Sequence, residues 1–573
     1  MSDTPRTVPA FFDRALSRFA DLEILQDRVG TVTMRQLTDD AARLAEGLRQ
    51  IGVEPGDRVG FYADNSRRWI LCDLGIQLAG GVSVPRGTDT PPGEMAEIFK
   101  HAGVGLVLAH GARQAQALED LRADLPDMGE IVCMDPKDAP GRTVDDLLAL
   151  GEGGPSFSEL APRAKPEDLA TIIYTSGTTG RPKGVMLTQS NFGHQIDTAP
   201  GELDVMPNEK FLSILPPWHI FERTVEYIAL CSGASLVYTD LRHFKKDLSA
   251  HEPTFVPSVP RLWETVYAGV QEALEKGPPL RRGLFKGALA IATMRTSNWD
   301  RARGAVLRVH EPEGAAWIGE GLVRAGSFVL AALAWPLDRL AHMIVFKRMR
   351  QLVGRNLRGG ISGGGLMPAH IDKFFRAIEL PLLVGYGLTE TSPIVTLRRP
   401  QRNVLGTIGV PIPEVEVQIR HPETGAPLPP GENGLVCTRG PQVMQGYYKD
   451  EELTKKVIDE DGWFDTGDLG SLTEMGDLCF RGRLKETIVL KGGENIEPTV
   501  VETAIVASPL VEQVIVVGQD QKVLAALVVP AAEAVCEALG GATLDVEALS
   551  TSKEALDLLK RECKTRTSKL KGF

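Results

Sequence analysis

At 573 residues, with 43% apolar and 24% charged side chains, the chain is long enough to bury more than one core and has the composition of an ordinary globular protein. Its formal charge of −12 gives no general attraction to phosphate backbones, which argues against nucleic acid as a partner. The cysteines are scattered with no CxxC pair, and the start Met1-Ser2-Asp3-Thr4-Pro5-Arg6 lacks the basic-then-apolar order of a secretory signal, so a reduced, cytoplasmic setting is expected.

From Val8 to about Leu160, helical patterns such as Gln36 to Ile51 alternate with short apolar runs such as Arg58 to Tyr62 and Gly105 to Leu108. That alternation predicts layered α/β structure with parallel strands. A further strand-like run, Ala170-Thr171-Ile172-Ile173, leads into a loop rich in glycine and hydroxyl side chains. The stretch from about 281 to 358 is rich in Ala, Leu, Arg and Met with sparse strand signals, and reads as a helical insertion. Within it, Phe328 to Phe346 is strongly apolar, but Pro336, Asp338, Arg339 and His342 interrupt it before about 18 clean residues accumulate. A buried or amphipathic helix pair is the expectation there, with peripheral contact at the inner membrane surface as the second reading.

Alternation at Val415 to Arg420, followed by the Pro/Gly-rich Gly425 to Gly431, predicts a small β-rich subdomain. Beyond Arg483, the apolar runs Val514 to Val517 and Leu524 to Val529 predict a compact α+β domain. The expected organisation is therefore a large N-terminal domain over 1–483, made of layered α/β subdomains plus the β-rich piece, and a small α+β C-terminal domain over 484–573.

The strongest chemical signal is Tyr174-Thr175-Ser176-Gly177-Thr178-Thr179-Gly180-Arg181-Pro182-Lys183-Gly184. Gly177 and Gly180 let backbone N–H groups converge on phosphate oxygens, Thr175, Ser176, Thr178 and Thr179 add hydroxyl donors, and Lys183 supplies a mobile charge. Lys183 follows Gly180 by three residues and precedes Gly184, which departs from the GxxxxGK[ST] spacing of P-loop nucleotidases. The run closely resembles the phosphate loop of the adenylate-forming superfamily, which includes acyl-CoA synthetases, luciferases and adenylation domains of nonribosomal peptide synthesis.

Further motifs follow in the order of that superfamily. Ile361 to Pro368 resembles its glycine turn, with Gly364 and Gly365 beside the adenine. Gly385-Tyr386-Gly387-Leu388-Thr389-Glu390-Thr391 resembles the segment in which Tyr386 and Gly387 would lie against adenine, Thr389 would meet the α-phosphate, and Glu390 would hold magnesium. Trp463 to Asp468 resembles the block whose aspartate, here Asp468, accepts from both ribose hydroxyls. Gly482-Arg483-Leu484-Lys485-Glu486 resembles the junction at which Arg483 approaches the nucleotide and Lys485 acts as hinge. Lys491 to Pro498 resembles the loop that, after rotation of the mobile C-terminal domain, lines the pantetheine tunnel of coenzyme A, with Lys491, Gly492 and Gly493 as the coenzyme A contacts. Near the end, Thr565-Arg566-Thr567-Ser568-Lys569 is the nearest match to the run carrying the adenylation lysine, with Ser568 where the superfamily has glycine, and Lys569 is the candidate.

Pro216 to Arg223 resembles a block of long-chain acyl-activating enzymes in which a histidine, here His219, sits by the reacting carboxylate; a histidine satisfied within the core is the alternative. The run Val82 to Thr90 also resembles long-chain relatives. The resemblance implies a long-chain fatty acid–CoA ligase that uses ATP, Mg2+ and coenzyme A. Two other readings stand beside it: an acyl-AMP ligase or acyl–carrier-protein synthetase, and a nucleotide-binding protein without full turnover.

Overall fold

The computed structural model describes residues 4–175, 182–352, 354–491, 495–496, 498–541 and 545–568. The chain forms two compact units, one of residues 1–417 with 438–464 and the other of 418–437 with 465–573.

The first unit is layered α/β, as the alternation predicts. Among the described residues a seven-stranded sheet runs Gly446–Tyr447, Lys183–Thr188, Leu169–Thr175, Val82–Arg86, Arg58–Tyr62, Val104–Ala109 and Glu130–Cys133. Its centre is parallel, and the pair Leu169–Thr175 and Lys183–Thr188 forms an antiparallel hairpin. In a nine-stranded sheet, Phe255–Ser258, Gly359–Ser362 and Leu382–Gly387 lie side by side and parallel. Apolar, β-branched strands covered on both faces suit this architecture. The hairpin's second strand runs straight into the helix Gln189–Leu203, because Thr188 accepts from the N–H of Asn191 while Asn191 accepts from the N–H of Thr188.

Aromatic packing ties helix to sheet, and a buried ion pair joins the helices Arg67–Ala79 and Ile220–Cys231. Phe61 stacks on Trp69 with ring centroids 5.0 Å apart. Arg223, on the helix Ile220–Cys231, is fully buried, with Nη2 2.5 Å from Asp73 Oδ1 and Nε donating to the Tyr227 hydroxyl at 2.9 Å. Removing one partner of such a pair typically costs about 3–5 kcal/mol.

The insertion is helical. Pro279–Ala302 packs along Ala315–Ala341, which continues through a π turn, His342–Phe346, into Lys347–Leu352. Asp338, Arg339 and His342 interrupt the apolar run as the sequence indicates, but Pro336 does not break the helix, and Ala316–Phe346 is long and apolar enough to cross a membrane by length and composition. Nor is its apolar face buried, since the large side chains from Trp317 to Ile344 are mostly exposed.

The second unit carries the hairpin of Phe464–Leu472 and Leu478–Arg483 in a four-stranded sheet with Gly434–Arg439 and Glu416–Arg420, the β-rich piece anticipated from the alternation. Beyond it, Val511–Val517 pairs with Ala525–Pro530 beside the helices Pro498–Val506 and Lys553–Thr567, around a small core that includes Val501, Val535 and Leu549.

Candidate active site

The hairpin sets Thr175 directly opposite Lys183 in register. Ser176, Gly177, Thr178, Thr179 and Gly180 lie outside the described residues. Gly184 is explained by packing: a Cβ there would meet Ile172 Cγ2 at 2.9 Å and the Tyr174 ring at 3.1 Å. Lys183 Nζ rests 5.3 Å from the centroid of the Tyr447 ring. The short strand Gly446–Tyr447 brings Tyr447 there by pairing with Val185 on the hairpin.

Tyr447 joins two motifs that the sequence presents separately. Its hydroxyl donates to Glu390 Oε1 at 2.9 Å, so Lys183, Tyr447 and Glu390 form one continuous polar line. Burial, together with the Glu390 charge, pushes the Tyr447 phenol above its ordinary pKa, which keeps it a donor. Glu390 is also held through its backbone, its carbonyl accepting from Met444 N at 2.8 Å. It lies in the turn Thr389–Thr391, just past the C-terminal end of Leu382–Gly387, and both Thr389 and Glu390 are half-buried. Tyr447 was not singled out from sequence; the only local signal was an aromatic residue following Gly446.

Gly387 has a packing reason of its own. A Cβ on it would fall 1.6 Å from the Pro393 carbonyl oxygen, so the close pass of the chain on itself already requires glycine. Tyr386, on the same strand, is half-buried against the main core. At the end of the neighbouring parallel strand Gly359–Ser362, Gly364 and Gly365 are exposed, and Gly364 has φ +71°.

The block around His219 meets two other motifs. Trp218 lies over Gly87, where a Cβ would come within 2.3 Å of the indole Nε1, and Phe221 lies against Gly363, whose Cβ position is 3.5 Å from the ring. His219 precedes the helix Ile220–Cys231, and its ring lies against that of Trp218, centroids 4.1 Å apart and planes tilted by 33°. His219 is exposed at the surface. Surrounding protein and the charge of Arg86 nevertheless push its pKa down against the pull of Asp89, favouring neutral imidazole. Arg86 and Asp89 are thus part of the histidine's surroundings, which the sequence showed only as a run resembling long-chain relatives. Arg223, from the same block, belongs to the core.

In the second unit, Asp468 and Arg483 are direct cross-strand partners, with Nε 3.2 Å from Oδ1. Asp468 is 2% exposed, whereas the Arg483 side chain is mostly in solvent. The turn before Asp468 is shaped by Gly467 at φ +70°, whose N–H donates to Asp465 Oδ1 at 2.8 Å. Burial pushes Asp465 up, against the opposing pull of that N–H and of Lys485. Lys485 is exposed in the short 3-10 turn Leu484–Glu486. Lys491 is exposed with its N–H on the Gln521 carbonyl, while Gly492 and Gly493 lie outside the described residues. Lys569 also lies outside them. Thr565 and Thr567, just before it, finish the helix Lys553–Thr567 and donate to the Arg561 and Cys563 carbonyls.

The sequence family described as AMP-binding enzyme matches residues 12–448, and the AMP-binding enzyme C-terminal domain matches 485–549. The chain is 35% identical over 564 residues to the long-chain-fatty-acid–acyl-carrier-protein ligase AEE15, chloroplastic, of Arabidopsis thaliana, covering 92% of this chain and 76% of that protein. It is 32% identical over 509 residues to the long-chain-fatty-acid–CoA ligase FadD15 of Mycobacterium bovis, covering 87% of this chain and 77% of that one. The crystal structure of ATP-bound MatB from Rhodopseudomonas palustris shares the fold, with a TM-score of 0.69 over 96% of this chain and 92% of that one at 23% identity. With both of its domain types matched in order and three sequence motifs meeting in the first unit, the chain belongs to the AMP-binding enzyme family of adenylate-forming enzymes.

Proposed function

We propose that this enzyme activates a long-chain fatty acid as its acyl-adenylate and transfers the acyl group to the thiol of coenzyme A, releasing AMP and pyrophosphate. The observation that carries the reading is the line Lys183–Tyr447–Glu390, which puts a phosphate-binding charge and a metal-binding carboxylate together beside the end of the strand bearing Tyr386. The named activities of the two relatives support the acid class.

In the first half-reaction, a fatty carboxylate oxygen bonds to the α-phosphorus of ATP as the bond to pyrophosphate breaks. Lys183 and the hydroxyls of the hairpin loop stabilise the charge on the phosphate oxygens, and Tyr386, Gly364 and Gly365 form the adenine surface. Neutral His219 orients the acid as a hydrogen-bond partner. Asp468, paired with Arg483, takes the ribose hydroxyls, and Lys569 serves the adenylation step. Magnesium fits the donor set, because Glu390 is a hard oxygen ligand steadied at 2.9 Å by Tyr447 and would hold the ion. When bound, the ion neutralises phosphate charge. In the second half-reaction, the thiolate attacks the acyl carbonyl and AMP leaves, with Lys491, Gly492 and Gly493 along the pantetheine and Lys485 as the hinge.

Transfer to the phosphopantetheine of a carrier protein is the second reading, favoured by the greater identity to the carrier-protein ligase. Mass spectrometry of the products with free coenzyme A and with holo carrier protein, each supplied alone, separates the two. Acyl-CoA formation supports the first; acyl transfer to carrier protein alone replaces it with the second.

A further inference from the structure

The helix Ala315–Ala341 and the π turn after it are amphipathic in the inverted sense. The stripe facing the rest of the protein is small or polar: Ser327, Ala331, Ala334, Asp338 and Ala341 recur at intervals of three and four and are all buried. Charges on this side are neutralised locally. Arg324 Nε lies 2.9 Å from Glu320, Arg295 Nε lies 2.5 Å from Asp338, and Arg295 Nη2 reaches Glu379 at 2.8 Å. The outward side is large and apolar, with Trp317 69%, Leu322 72%, Phe328 53% and Leu333 71% exposed. Between Trp317 and Ile344 the charged residues Glu320, Arg324, Asp338 and Arg339 are all partly or wholly covered, so no fully exposed charge breaks this face. Isolated exposed apolar side chains are ordinary, but a continuous face of them marks an interaction surface.

Two observations choose the occupant. The neighbouring stretch 276–303 holds seven Lys or Arg against the single acid Asp300, although the whole chain carries −12, and of these seven Arg295 is already paired with Asp338 and Glu379. Exposed Arg281 and Lys286 stand beside exposed Leu280 and Leu284 on that helix. A basic margin around an apolar face complements anionic lipid headgroups over acyl chains, whereas a second copy packed face to face would bring the same positive charges together. The face is about 40 Å long at 1.5 Å per residue, longer than the roughly 30 Å hydrocarbon core. It is nonetheless clamped lengthwise by Pro279–Ala302 and by the Arg295–Asp338–Glu379 cluster, so spanning would strip those pairs. We propose that this helical hairpin docks the enzyme on an anionic bilayer, lying in the interface plane with its outward apolar side chains among the acyl chains. This inference stands independently of the acid and the acyl acceptor.

The test is flotation of the full chain with vesicles of phosphatidylcholine alone and of phosphatidylcholine mixed with phosphatidylglycerol, at low and high salt. The parent is expected to float with the mixed vesicles and to bind them less at high salt. The triple variant Leu322→Glu, Phe328→Glu, Leu333→Glu should lose about tenfold or more of the bound fraction, and Arg281→Glu with Lys286→Glu should lose the preference for the anionic vesicles. These positions are exposed, so both variants should keep the parental melting temperature and pyrophosphate release with a short, soluble acid. As a readout independent of the charge changes, brominated lipid should quench parental tryptophan emission more strongly than that of Trp317→Phe with Trp335→Phe. The proposal is overturned if the parent fails to float with either vesicle, or if the triple variant floats as the parent does. It is also overturned if light scattering shows a parental dimer that the triple variant converts to monomer, which would assign the face to a second copy.

Discussion

Tyr447→Phe removes a single oxygen and leaves the ring on which Lys183 rests, so it isolates the hydrogen bond to Glu390 at 2.9 Å. A hydrogen bond to a charged acceptor is worth about 1.5–3 kcal/mol, equivalent to roughly 10- to 100-fold in rate if it is lost at the transition state. The lower end is expected, because the Met444 N–H still holds the Glu390 backbone and only the carboxylate is released. A carboxylate free to swing should also raise the magnesium concentration needed for half-maximal rate, which a general loss of stability would not do. Tyr447→Leu removes the ring as well and should cost a further ~0.5–2 kcal/mol through Lys183. The assay is pyrophosphate release at saturating ATP and fatty acid across a magnesium titration. A parental rate and an unchanged magnesium requirement in Tyr447→Phe would refute the role of this line in adenylation.

Asp468→Ala should raise the ATP KM by the equivalent of about 1–3 kcal/mol while leaving the rate at saturation nearly intact, since ribose contacts serve ground and transition states alike; an unaltered ATP KM contradicts the ribose assignment. Gly387→Ala places a Cβ 1.6 Å from the Pro393 oxygen, so the backbone must move, and a thermal melt should show about 1–3 kcal/mol or more of lost stability. A parental melt would show that this contact does not constrain the turn. Burial pushes Glu226, which accepts from Ser213 at 3.0 Å, up to about 8. Its folded pKa lies above its unfolded value, so the native chain keeps a proton that the unfolded chain releases, and stability falls as pH rises from about 4.5 to about 8. Denaturant unfolding at both ends of that window should show a shallower fall for Glu226→Gln, with Glu222, also raised by burial, supplying the slope that remains; an identical slope in the variant contradicts it.

Local pattern carried the architecture well where one face or one strand decides it. The alternation before residue 160 became the parallel sheet, and Ala170 to Ile173 became the first strand of the hairpin. Tyr447 was invisible because its strand has two residues, and its partner Val185 is more than two hundred positions away, so no local period records the pairing. The helical insertion was legible as helices, but helical periodicity does not say which stripe turns inward. Ser327, Ala331 and Ala334 face the protein here because small side chains let the two long helices approach, which sends the large ones outward. Motif resemblance also merged separate causes. In the block at 216–223, Trp218 and Phe221 meet glycines of other motifs while Arg223 holds the core, and Gly387 is required by Pro393 whatever lies against it.

The most direct test of the adenylate-forming chemistry is exchange of labelled pyrophosphate into ATP, with a long-chain fatty acid present and no thiol acceptor. Reversible acyl-adenylate formation requires label to enter ATP only when both acid and magnesium are supplied, with AMP rather than ADP appearing once coenzyme A or a carrier protein is added. Absence of acid-dependent exchange, or release of ADP and inorganic phosphate instead, would contradict it.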